Sequence, residues 1–187
     1  FKMCSLSTIN GFIDIDCLIN MGVNNMARKV FFSFHYERDV WRAGIVRNSD
    51  ITKKSVEAAG FIDAASWEEV KKKGDDAIKK WIADQLNGTS VTIVLIGAET
   101  ASRDWVIHEI KESYNKGNGL LGIYIQNIKD QNQRIDNKGE NPFDKLYIET
   151  NGTKKYLSQI FSTYDWINDD GYNNLGKWVE AVAPKNN

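Results

Sequence analysis

The run Val91-Thr92-Ile93-Val94-Leu95-Ile96, followed directly by Gly97-Ala98-Glu99-Thr100-Ala101-Ser102-Arg103-Asp104-Trp105-Val106-Ile107-His108-Glu109-Ile110, decides the fold class. Its first six residues are the most strand-like in the chain, and the rest reads as the opening of a helix, with Ser102 as the expected N-cap and Asp104 in the first turn. A helix entered this way starts just beyond the carboxyl end of a buried strand, where open α/β sheets hold their ligands. Trp105 and Glu109 are one helical turn apart and share a face there.

Working outward, strand and helix signals alternate, which argues for parallel strands covered by helices. Strand patterns fall at 29–34, apolar on both faces and so central, at 60–63, at 90–96, at 120–125 and at 161–166. Between them lie a helix at 35–48, expected to turn Val40, Trp41, Gly44 and Ile45 inward, and a charged segment at 67–86, which Gly74 is placed to break in two. Asn87-Gly88 suits a left-handed cap, and Lys116-Gly117-Asn118-Gly119 stops the helix that carries Glu109. Residues 126–142 form a polar connection without periodicity, long enough to be either functional or mobile. Asn151-Gly152 between short alternating segments signals a hairpin at 147–156, and a closing helix is expected at 172–182. The sum is a doubly wound, mainly parallel five-stranded α/β domain with a decorated loop and hairpin after the fourth strand.

A chain of 187 residues is most simply one domain with a sizeable core. Residues 1–25 contrast with the rest of the chain and read as an N-terminal extension, with the domain proper taken as 26–187. The net charge of -1, from 24 basic and 25 acidic residues, gives no overall attraction to nucleic acid or to a membrane. Lys71-Lys72-Lys73 lies among acidic residues and reads as a solvated helix face. Cys4 and Cys17 are the only cysteines, so neither a disulfide framework nor a Cys-based zinc site spans the chain, and a cytoplasmic protein is expected.

Several chemistries common on this architecture lack their required atoms. The first strand runs into Ser33-Phe34-His35-Tyr36-Glu37-Arg38, where bulky side chains replace the glycines of a dinucleotide fingerprint. There is no Gly-Lys-Ser/Thr phosphate loop, no Gly-x-Ser-x-Gly elbow and no aspartate at the end of the third strand to accept a phosphoryl group. With His35 and His108 as the only histidines, no metal site is expected, and His108 reads as a solvated helix residue.

The segments 30–36, 60–68, 90–97, 104–110 and Asn141-Pro142-Phe143-Asp144 resemble the TIR-like proteins of bacterial Thoeris anti-phage defence systems. The resemblance covers about residues 26–146 and is weaker beyond them. It implies a TIR-type, flavodoxin-like domain that senses infection through a phage-derived trigger and converts NAD, as substrate and not as cofactor, into a cyclic ADP-ribose-type signal. That nucleotide would activate an effector, and self-assembly of the domain belongs to the same expectation. The Trp-x-x-x-Glu motif of TIR NADases falls on Trp105-Val106-Ile107-His108-Glu109 and implies a catalytic role for Glu109. Phe34, His35, Tyr36 and Trp105 are candidates to stack on nicotinamide or adenine, Ser33 stands at the strand's carboxyl end, and Arg42 is placed to meet the pyrophosphate. Asp63, Ser66 and Trp67 fall in the loop region that shapes the pocket in TIR domains. The competing readings are core packing for Trp105, a solvated helix position for Arg42, and, for the whole protein, a non-catalytic TIR-like scaffold or nucleotide-binding module.

Overall fold

The computed structural model describes residues 28–49, 56–59 and 64–184. Its central sheet is all parallel and is built from β1 (Arg28–Ser33), β2 (Val56–Ala59), β3 (Val91–Ile96), β4 (Gly119–Tyr124) and, closing it, a strand at Thr163–Asp165. In space β2 is an edge, followed by β1, β3, β4 and the Thr163–Asp165 strand. The α/β class with parallel strands is therefore as the alternation of signals required. Every residue of β3 is buried, because this strand lies between neighbours on both sides and under helices on both faces.

Alternation along β1 sorts the helices. Val30 and Phe32 point to one face, where they pack with Ala43 and Val46 of α1 (Tyr36–Arg47) and with Leu175 and Val179 of the closing helix at Gly171–Val182. Phe31 points to the other face and meets Ile78, Ile82 and Leu86 of α3 (Asp75–Leu86), which follows α2 (Ala64–Lys72). On that same face Val94 and Ile96 pack under Val106 and Ile110 of α4 (Asp104–Lys116). Ser33, two residues beyond Phe31, must therefore look toward α4.

Gly74, with φ 88°, separates α2 from α3 as its position suggested. Residues 126–140 carry no helix or strand, yet they are tied down: Arg42 Nε donates to the Ile128 carbonyl at 2.8 Å and Nη2 to that of Arg134 at 3.3 Å, while Arg38 pairs with Asp136 at 3.0 Å. The hairpin forms from β5 (Tyr147–Thr150) and β6 (Thr153–Tyr156), so the Thr163–Asp165 strand is β7 and the closing helix α5. No helix among the described residues is long and apolar enough to cross a membrane.

Three local expectations are corrected, and a fourth falls outside the described residues. The inward face of α1 is Asp39, Arg42, Ala43 and Val46, whereas Trp41 and Ile45 are 47% and 40% exposed. Arg42 is accordingly not a solvated helix residue: it is buried, its charge met by Asp39 at 3.7 Å and its donors taken by loop carbonyls. The strand beside β1 is Val56–Ala59, and the expected one at 60–63 lies outside the described residues. Ser102 does not cap α4; it belongs to a preceding 3-10 turn, its hydroxyl donates to the Glu99 carbonyl at 2.8 Å, and Arg103 occupies the N-cap.

Close approach at the start of β4 makes a stability test. A Cβ on Gly119 would stand 1.9 Å from the carbonyl oxygen of Val182, which is backbone and cannot step aside. Gly119→Ala should lower unfolding stability by about 1–3 kcal/mol in urea titrations. Gly44→Ala, in open space within α1, should instead raise it by about 0.5–1 kcal/mol.

Candidate functional site

The central feature is one hydrogen bond. Glu109 lies on the inward stripe of α4 with Val106, Ile110 and Ser113, and is only 8% exposed. The Ser33 hydroxyl donates to Glu109 Oε2 at 2.5 Å, joining the last residue of β1 to the middle of α4. The helix that presents this carboxylate is fixed at both ends. Toward its carboxyl end Thr92 Oγ1 bonds Ser113 Oγ at 2.8 Å, and Gly117 ends the helix in the left-handed conformation at φ 83°. Before its first turn Thr100 Oγ1 accepts the Gly97 N–H at 2.9 Å, and Arg103 pairs with Glu99.

Glu109 borders a cavity at the carboxyl end of β1, walled also by the first turns of α4 and by α2 and α3. Of the residues singled out from sequence, Phe34, His35, Tyr36, Trp67, Trp105 and Glu109 all line it. Ser33 reaches it through Glu109 and is itself fully buried. Arg42 does not line it, being held against the loop after β4. Ser66 falls within α2, and Asp63 lies outside the described residues. Trp81, Lys71, Glu37 and Arg103 line the cavity as well, and sequence reasoning had not placed them there. The Trp81 ring meets Trp67 edge-on at 5.7 Å. Lys71 bridges Glu37 of α1 at 3.0 Å and Glu68 at 2.7 Å, linking α2 to α1 beside the cavity. Nothing in the charge pattern 68–73 distinguished that lysine from its neighbours.

The walls are mostly aromatic. Phe34 and Tyr36 approach at 5.9 Å, and Trp105 stands edge-on to His108 at the same separation. Trp105 is half-buried and packs toward the Phe31 cluster, so core packing and a wall of the cavity are both true of it. His108 is likewise half-buried rather than fully solvated.

Burial pushes Glu109 up to about 8, against a smaller downward pull from the Ser33 hydrogen bond. Burial therefore favours the neutral acid near pH 7, and a cation brought alongside would restore the carboxylate. His35 is shifted the other way: burial, with Arg103 nearby, holds its imidazole below the ordinary range and thus neutral. A buried carboxylate facing an aromatic cavity is suited to a flat, positively charged ring.

The family model described as "Thoeris protein ThsB, TIR-like domain" matches residues 31–130. A relative in Bacillus cereus (strain MSX-D12), ThsB1, named as a candidate cyclic ADP-D-ribose synthase, is 41% identical over 191 aligned residues, spanning 82% of this chain and 100% of its own length.

Because the folded-state value of Glu109 lies above its unfolded one of 4.5, the native state binds the extra proton between about pH 4.5 and 8. Its contribution to stability is whole below that window and lost as pH rises through it. Glu109→Gln should remove this part of the slope, and at pH 8 it should be the more stable protein by on the order of a few kcal/mol in denaturant titrations.

Proposed function

Because the chain belongs to the Thoeris ThsB TIR-like family, we propose that it converts NAD into a cyclic ADP-ribose-type signalling nucleotide with release of nicotinamide, in anti-phage defence. The observation that carries this reading is Glu109, buried, held by Ser33 and bordering an aromatic cavity at the carboxyl end of β1. The sheet order supports a flavodoxin-like, TIR-type fold, in which the crevice between the first and third strands is the topological switch point.

The chemistry explains why one carboxylate is enough. Nicotinamide leaves a pyridinium and departs neutral, so no acid need protonate it, unlike the sugar oxygen that obliges glycosidases to use two carboxyl groups. Glu109, ionised by the cationic substrate, stabilises the positive charge that develops on the ribose. Phe34, Tyr36, Trp67 and Trp105 supply surfaces for stacking the two rings of NAD. Ser33 serves by orienting Glu109 rather than by meeting the substrate itself. Cyclisation then needs an atom of the same nucleotide to reach the anomeric carbon before bulk water does, which folding the substrate into a walled cavity favours. The protein would respond in the cytoplasm to a phage-derived trigger and assemble with itself, and its nucleotide product would activate an effector.

Full-length protein in extracts of phage-infected cells should release nicotinamide from NAD, and Glu109→Gln should lower that rate by about 10²–10³-fold. Wild-type turnover by a folded Glu109→Gln protein would refute the assignment. NAD binding without nicotinamide release, with infection present, would make the domain a binding module.

A further inference from the structure

Among the described residues, His35 lines the cavity without a hydrogen-bond partner. The residue is 9% exposed and lines the same space as Glu109 and Trp105, yet among the described residues neither ring nitrogen has a hydrogen-bond partner. The Glu37 carboxylate lies 3.7 Å from Nε2, an ion-pair distance and too long for a hydrogen bond. Buried polar groups left in this condition are uncommon and are satisfied by water or by a ligand. A stacking role alone would leave both nitrogens unused.

Resting on the proposed NAD chemistry, we propose that His35 is the general base of the transfer step, taking the proton from the hydroxyl that attacks the ribose. The glycosidic carbon–nitrogen bond breaks and its electron pair goes to nicotinamide, which leaves neutral. The attacking oxygen, of water or of a hydroxyl on the same nucleotide, gives a lone pair to the anomeric carbon. The O–H proton passes to an imidazole nitrogen of His35, and the imidazolium later returns it to solvent. A neutral imidazole is the form that can accept this proton, and burial keeps it neutral. Glu109 and His35 thus divide the work: the carboxylate stabilises positive charge as nicotinamide departs, and the imidazole removes the proton that the incoming oxygen must lose.

Acceptors without a proton separate this role from a structural one. A substituted pyridine attacks through nitrogen and has no proton to shed, so base exchange into NAD needs Glu109 but not His35. In extracts of infected cells, His35→Gln should lower nicotinamide release in the absence of pyridine by on the order of a hundredfold. Exchange with an added substituted pyridine should stay within about threefold of wild type, which also shows that the variant is folded. His35→Asn, which keeps a nitrogen near the position of Nδ1, is the second variant if the glutamine protein unfolds. Equal losses in both reactions by a folded variant would overturn the base, and so would unchanged nicotinamide release. A wild-type protein that neither releases nicotinamide nor exchanges it would refute the NAD reading itself.

Discussion

The site depends on keeping a carboxylate inside the protein with, among the described residues, one serine hydroxyl as its hydrogen-bond partner. Burial of Glu109 disfavours its charge, and the 2.5 Å bond from Ser33 offsets only part of that. A group in this condition is poised for whatever positive charge enters the cavity. The rest of the fold serves to hold the last residue of β1 and the middle of α4 at the right separation. Parallel pairing of Ser33 with Val94 sets the strand, and Val106 and Ile110 over Val94 and Ile96 set the helix.

The same logic governs the opposite face, where polar groups are buried to hold a loop and not to do chemistry. Asp39 is fully buried and pushed up to about 6 by that burial, with the Arg42 charge opposing the shift. Its carboxylate lies so close to Gly97 that a Cβ there would come within 2.2 Å of Oδ2. Gly139 in turn lies over Gly97, where its own Cβ would meet the Gly97 carbonyl oxygen at 2.0 Å. Arg38, Arg42, Asp39 and Asp136 therefore pin residues 126–140 against the turn that leads from β3 toward α4. Both faces converge on that turn, which places Arg103 and Trp105 at the cavity.

This division also explains what could be read from sequence. Strands β1, β3 and β4 were legible because two-sided burial writes itself as unbroken apolar runs. Strand β2 was not, since Val56-Glu57-Ala58-Ala59 at the sheet edge has no such run, and the more apolar Gly60-Phe61-Ile62 drew the reading instead. The face of α1 was misread because two of its inward residues, Asp39 and Arg42, are charged, and Arg42 is held inside by Asp136 and by loop carbonyls distant in sequence as well as by Asp39. Glu109 was legible as a position, through its spacing from Trp105 and its place after β3. Its pairing with Ser33 was not, because 76 residues separate the two and only the register of β1 against α4 brings them together. His35 was legible as an aromatic residue, but that neither ring nitrogen has a hydrogen-bond partner among the described residues is a property of the folded cavity.

If the cavity matches a cationic ring with the Glu109 carboxylate, binding that ring must change how the carboxyl group ionises. Carbon-13 NMR of protein labelled at glutamate carboxyls, with Glu109→Gln to assign the resonance, measures this directly. In the free protein the titration midpoint should lie near 8, and a non-hydrolysable carbocyclic NAD analogue bearing the pyridinium should lower it by about one pH unit or more. A midpoint that stays in place or rises on binding would contradict the account.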